Sequence, residues 1–193
     1  MISAQQQVGH YILDKGASRF TVRAFASGML SALGHNPEIA IRDFSGEANF
    51  DPAVPGEAAM KIMIRADSLE VMDEIKSKDR KEIESTMNRN MLESSRYPEI
   101  HFESMQATSN ELGGGRYRIA MSGNLSLRGA TRSLPLTVQI SVIGDMLRAN
   151  GEFSILQSDY GIPPVRVAGG ALKLKDELKF AFDIVARKQD GNA

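Results

Sequence analysis

The chain contains no cysteine among its 193 residues. That absence excludes disulfide bonds, thiolate nucleophiles, iron–sulfur ligation and cysteine-based zinc sites. The three histidines, His10, His35 and His101, are scattered and give no metal-ligand spacing of the His-x-x-x-His kind. We therefore expect no metal centre. The lack of cysteine leaves the compartment open, because such a chain tolerates oxidising and reducing surroundings alike.

The chain also lacks net charge of either sign. Lys and Arg number 23 against 24 Asp and Glu, which gives a formal net charge of −1. A balance of this kind creates no field that would attract a polyanion or an anionic membrane surface. We therefore expect no nucleic-acid partner.

Long apolar runs are missing as well. No segment approaches the ~18 apolar residues of a membrane span, and the first residues, MISAQQQVGHY, lack a basic region followed by an apolar one. The sequence thus predicts no transmembrane segment and no visible signal peptide. The expected compartment is cytoplasmic, or periplasmic if a leader has been trimmed.

What the chain does have is a two-residue hydrophobic period, clearest between Tyr117 and Val142. Apolar residues alternate with polar ones in two runs, the pattern of half-buried strands. The runs are joined by the polar connector Arg128 to Arg132, which contains one glycine and is typical of a hairpin turn. With 42% hydrophobic and 24% charged residues, the composition fits one globular domain.

The same period recurs along the chain and predicts about eight strands. Besides the two just described, alternating runs begin near Ser18, Ile39, Ala58, Ile100, Met146 and Leu178. A phase shift at Arg42-Asp43 predicts a bulge. Eight antiparallel strands close into a small barrel able to hold one ligand, although a sandwich uses the same elements.

One segment departs from this period. From Asp73 to Leu92, apolar residues recur about every four positions among many charges, which indicates an amphipathic helix or two short ones. We therefore predict a disordered tail over residues 1–10, one domain over 11–188 with a helical insert over 73–94, and a tail over 189–193.

Several short motifs, in this order and at these spacings, resemble the YceI-like family of isoprenoid-binding proteins. The resemblance covers Tyr11 to about Lys188 and is carried by Tyr11-Ile12-Leu13-Asp14 with Ser18 to Val22, Phe44-Ser45-Gly46 with Phe50-Asp51, Tyr97 to Ser104, Gly123 to Arg132, Asp159 to Ile162, and Lys175 to Leu178.

The resemblance implies an all-β fold with a helical insert, an extended, lipocalin-like barrel of eight antiparallel strands. It implies a bacterial, non-enzymatic protein that stores or transports an isoprenoid lipid or quinone in the barrel, with no cofactor required and a homodimer possible. We assign ligand binding to the inward faces of the strands and to His35 in the loop that follows the first strand. The strand residues are Phe20, Val22, Ile41, Phe50, Ile62, Ile64, Phe102, Leu125, Leu127, Leu136, Val138, Phe153, Phe180 and Phe182.

Two alternatives to a lipid carrier remain open, an interaction or stress-related module with a filled barrel and an enzyme that uses His35. The ten methionines suit a flexible cavity lining, yet composition alone favours ordinary core filling. A filled barrel would indicate an interaction module, with Met29, Leu30 and Leu33 as its exposed patch. An enzyme would need His35 beside a carboxylate or hydroxyl, whereas a loop histidine is more often simply exposed. His101 is expected to face solvent, and the carboxylates of the insert to form a solvated helix face.

Overall fold

The computed structural model describes residues 8–27, 36–164, 166–167 and 172–189. The chain forms a closed antiparallel β-barrel of eight strands with one short helix. The strand segments are β1 (Gly9–Leu13), β2 (Arg19–Ser27), β3 (Glu38–Ile41), β4 (Phe44–Phe50), β5 (Ala59–Arg65), β6 (Leu69–Val71), β7 (Glu99–Gly113), β8 (Arg116–Leu127), β9 (Ala130–Ile143), β10 (Met146–Leu156), β11 (Arg166–Val167) and β12 (Leu172–Lys188). The helix α1 (Ser77–Thr86) continues into a π-helical turn, Met87–Met91.

The barrel ring runs β1, β4, β5, β7, β8, β9, β10 and β12, and closes because β12 pairs with β1. The predicted barrel is thus confirmed over the sandwich. Strand pairing around a closed ring leaves no continuous free edge.

One predicted strand is broken into two segments, and two others are joined by short strand segments that were not predicted. β1 and β2 are separated by the 3-10 turn Lys15–Ala17 and both pair with β12. The bulge predicted at Arg42-Asp43 is a complete break between β3 and β4, which pair with β2 and β1 respectively. β5 and β6 are divided in the same way. These breaks bend the wall, so that β2, β3 and β6 extend it beyond the closed ring.

The β8–β9 hairpin turn is tighter than predicted. Leu127 pairs with Ala130, and only Arg128 and Gly129 lie between them. Both have positive φ, 50° and 76°, which is the left-handed backbone of a two-residue turn that matches the twist of the strands. Residues 130–132, assigned to the connector, belong to β9.

The barrel has two unlike ends. At the mouth end, β8 ends, β9 begins and α1 lies beside β6; at the closed end, β7 and β9 end and β8 begins. Aromatic and branched side chains fill the closed end, namely Tyr11, Phe50, Tyr117, Ile119 and Ile140.

The domain limits differ slightly from the prediction. β1 begins at Gly9, so His10 lies in a strand rather than in a tail, with its Nε2 2.9 Å from Glu47 Oε2. Helical structure in the insert runs from Ser77 to Met91 instead of 73–94. Residues 1–7 and 190–193 lie outside the described residues.

Candidate functional site

A cavity of about 500 Å³ lies inside the barrel and opens toward the mouth end. Its volume falls within the range of roughly 300–1,000 Å³ that is usual for small-molecule sites. Every strand of the ring contributes to its wall, and β2, β3, β6 and the insert complete the wall toward the mouth. Because the inward positions are almost all aliphatic or aromatic, the enclosed surface is apolar.

The structure places most of the predicted binding residues on the wall of this cavity. Those that line it are Phe20, Val22, Ile41, Ile62, Ile64, Phe102, Leu125, Leu127, Leu136, Val138, Phe153, Phe180 and Phe182. That they bind a ligand stays a prediction.

Phe50 lies elsewhere. It is 1% exposed, and its ring centroid is 5.1 Å from that of Tyr117 in the filled closed end. It shares the inward phase of the lining residues, but β4 carries it past the end of the cavity.

His35, like Met29, Leu30 and Leu33, lies outside the described residues. His101 is exposed, as expected, with its Nε2 3.0 Å from Glu99 Oε2.

Phenylalanines form one side of the wall. The rings of Phe153 and Phe180 stack with centroids 4.7 Å apart, and Phe20 contacts Phe182 edge to face at 6.1 Å. Gly151 pairs directly with Phe182, and a Cβ at Gly151 would lie 2.7 Å from that ring. Glycine at this position lets the ring lie against the neighbouring strand instead of projecting across the cavity.

A second glycine acts in the same way on the opposite side. A Cβ at Gly123 would lie 2.5 Å from Cζ of Phe102. Gly123 begins one of the motifs that carry the family resemblance, and this contact gives it a physical role: it makes room for a wall residue.

The insert supplies lining residues that were not predicted as binding residues. They are Ile75, Ile83, Met87, Met91 and Leu92. Four of them belong to the hydrophobic repeat that predicted the helix, and Leu92 follows it directly. An amphipathic helix must place its apolar face against something; here that face lies over the mouth of the barrel.

Polar side chains border the cavity only sparsely. Among the described residues they are Asp73, Asp79, Glu82, Thr86 and Gln157. Asp73 Oδ2 accepts a hydrogen bond from the Glu38 N–H at 3.0 Å. Asp79 and Glu82 are both exposed on α1, as expected for Glu82, but they also border the cavity. All five residues belong to the mouth end.

Arg128, in the β8–β9 turn, connects this turn to two other segments at the mouth. Its Nη2 donates to Glu93 at the end of the insert, and its Nη1 donates to the backbone carbonyl of Gly161, after β10. Arg128 and Glu93 are the non-glycine residues with positive φ in the described part of the chain. Such backbone is uncommon outside glycine, so one ion pair holds two unusual turns in place.

The buried phenols belong to the core rather than to the cavity. Burial raises the pKa of Tyr11 and of Tyr160, so both stay neutral near physiological pH. Among the residues that the structure describes, no group of His, Asp and Glu is placed to hold a metal ion. An apolar wall with polar groups at one end can enclose an apolar chain and contact a polar group near the mouth.

The interaction-module alternative required a filled barrel, and the cavity argues against it. Within the described ranges, no helix has both the length and the apolar character needed to cross a membrane.

Solved structures share this fold at low sequence identity. BcnA of Burkholderia cenocepacia superposes with a TM-score of 0.70 at 19% identity, over 90% of this chain and 98% of that one. A polyisoprenoid binding domain from Saccharophagus degradans, implicated in plant cell wall breakdown, gives 0.68 at 11% identity, over 95% and 100%. The YceI protein of Campylobacter jejuni gives 0.61 at 14% identity, over 81% and 88%.

No curated protein matches the chain. The sequence profile of the YceI-like domain matches residues 11–186, nearly the whole barrel. The chain therefore belongs to the YceI-like domain family.

Proposed function

We propose that the protein binds a long isoprenoid lipid or quinone in the cavity of the barrel and stores or transports it without catalysing a reaction. The observation that carries the proposal is the apolar cavity of about 500 Å³. Membership of the YceI-like family and the structural similarity to a polyisoprenoid binding domain support the choice of an isoprenoid chain.

The physical driving force is burial of apolar surface. Each Å² of ligand surface removed from water contributes about 25 cal/mol, less the cost of association and of ordering a flexible chain. Met60, Met87 and Met91 on the wall provide unbranched side chains that adapt to a methyl-branched tail. A wall of this kind binds by shape and hydrophobicity, and it offers little to stabilise charge in a transition state.

The proposal is tested on the purified, full-length protein. Denaturing extraction followed by mass spectrometry should release a stoichiometric apolar compound. A ligand present at 100 times its Kd stabilises the fold by about 2.7 kcal/mol, which for a chain of this size raises Tm by roughly 5–10 °C. Failure to extract any such compound, together with an unchanged Tm on adding prenols, quinones and quinols, would contradict the proposal.

A further inference from the structure

The cavity is polar only at its mouth, and the charged groups that border it there are all carboxylates. Asp73, Asp79 and Glu82 are carboxylates, and among the described lining residues no lysine, arginine or histidine accompanies them. Carboxylates accept hydrogen bonds and repel anions.

The carboxylates of α1 that border the cavity form no direct ion pair with a described residue. Within the residues that the structure describes, neither Asp79 nor Glu82 forms a salt bridge, whereas the acids on the barrel walls, such as Glu103 and Asp183, are paired with Lys61 and Arg148. Asp79 lies in the first turn of α1, where the helix dipole favours a negative charge. The basic residues of α1, Lys78, Arg80 and Lys81, do not line the cavity, and Arg80 donates from Nη2 to the backbone carbonyl of Asp73. The charged side chains that border the cavity are therefore negative where the head of a bound lipid would lie.

A second, independent observation concerns Gln157, which also lines the cavity. Its side chain is 2% exposed, and its Nε2 donates to the backbone carbonyl of Lys175 at 2.9 Å. Its Oε1 is buried and, in the described part of the chain, has no hydrogen-bond donor. A buried acceptor left without a donor costs about 1–3 kcal/mol, so a ligand that brings a donor gains by supplying it.

From these two observations we infer that the cavity selects isoprenoids whose head group donates hydrogen bonds and carries no negative charge, such as a prenol or a quinol, and discriminates against prenyl phosphates. The inference rests on the proposed function and specifies the class of ligand. A quinone, which only accepts hydrogen bonds, binds less well than its quinol.

Three probes with the same tail separate the contributions: geranylgeraniol, its methyl ether and geranylgeranyl monophosphate. The ether removes the donor and adds no charge. We expect the alcohol to bind about three- to tenfold more tightly than the ether, the range for one neutral hydrogen bond. The phosphate should bind more weakly than the alcohol, by a factor that shrinks as salt is added.

Substitutions show which residues cause these differences in affinity. The double variant Asp79→Asn, Glu82→Gln should tighten phosphate binding several-fold and thereby lower the ratio of alcohol affinity to phosphate affinity. Glu111→Gln, at an exposed position of β7 near the closed end, is the matched control and should change neither. Gln157→Met should bring the alcohol-to-ether ratio close to one.

The outcomes separate the two proposals. Equal affinities for all three probes in the unsubstituted protein would overturn the head-group inference and leave the isoprenoid cavity standing. No binding of any probe would overturn the proposed function itself. If Gln157→Met unfolds, the alcohol-to-ether ratio of the unsubstituted protein decides the donor part of the inference.

Discussion

Ala149 shows how one small side chain keeps the barrel hollow. It lies in β10, pairs with Ile140 and Ile184, and lines the cavity with little more than a methyl group. A larger residue there has room to enter the cavity, because the space in front of it is empty.

We predict that Ala149→Phe abolishes or strongly weakens prenol binding, by tenfold or more, because its ring fills space that the ligand needs. The fold should lose no more than the roughly 1–3 kcal/mol typical of overpacking. Ala120→Phe, on the exposed face of β8, is the matched control. Titration with geranylgeraniol checks both variants, and equal affinities would show that the cavity is not the binding site.

Arg128 matters at the residue scale because it is a largely buried charge that holds two turns. Its side chain is 18% exposed, whereas the Arg148–Asp183 pair on the barrel wall is 54% and 40% exposed. Removing one partner of a charged hydrogen bond lowers the free energy of unfolding more when the pair is buried than when it is exposed.

We predict that Arg128→Ala lowers the free energy of unfolding by about 1–3 kcal/mol and speeds amide hydrogen exchange in the insert, Ser77 to Met91. Arg148→Ala should cost no more than about 1 kcal/mol and leave exchange in the insert unchanged. Urea unfolding and hydrogen exchange measure both effects. If exchange in the insert of the Arg128 variant is as slow as in the unsubstituted protein, the ion pair with Glu93 does not restrain the insert.

Asp183 gives the molecule part of its acid sensitivity. Its hydrogen bonds from Arg148 hold the pKa of this carboxyl below its usual range. A carboxyl whose folded pKa lies below its unfolded value, about 3.9, adds stability above that value and loses it as the pH falls through the folded pKa. Arg187 lowers the pKa of Asp14 in the same direction.

We therefore predict that Asp183→Asn destabilises the protein at pH 6 by at most about 1 kcal/mol, since the pair is exposed. The difference from the unsubstituted protein should shrink below pH 4 and vanish once Asp183 is protonated. Urea unfolding at a series of pH values tests this, and a difference that grows toward acid would contradict it.

At the scale of elements, the closed end sets the depth of the cavity. Leu125 and Leu127 of β8 line the cavity, whereas Met121, an inward residue of the same strand, lies in the filled core. Shortening Met121 removes volume next to the wall residue Leu136, with which it pairs. The cavity should then extend toward the closed end.

We predict that Met121→Ala shifts the preferred prenol toward longer chains, at a stability cost of about 2–5 kcal/mol. Met105→Ala is the control, since Met105 is 69% exposed on β7. Affinities for a series of prenols of increasing length test the shift, and an unchanged preference would show that the chain does not reach this end.

For the whole molecule, the eight strands of the barrel wall could be predicted, because the alternation of inward and outward residues is a property of each strand taken alone. The hollow interior could not be predicted this way. Leu125 faces a cavity and Ile119 faces packed side chains, yet both obey the same alternation. Which of them meets empty space depends on side chains contributed by other strands.

The polar mouth was difficult to predict for a related reason. Glu82 has the pattern of a solvated helix face, whereas Asp79 falls in the four-residue repeat of Ile75 and Ile83, and both are exposed. Only the docking of α1 over the barrel brings them to the cavity. Gln157 stands in an irregular segment without periodicity. The family resemblance predicted the fold and the class of ligand, but it gave no information about the head group.

One contact of the insert affects the behaviour of the protein in concentrated solution. β6 pairs with β3 on one side, and on its other side the Val71 N–H donates to Glu84 Oε1 of α1 at 3.0 Å. An uncovered strand edge invites pairing with a second chain. A movement of α1 away from β6 would expose this edge and favour self-association. A ligand that kept the insert in place would then also protect the protein from aggregation.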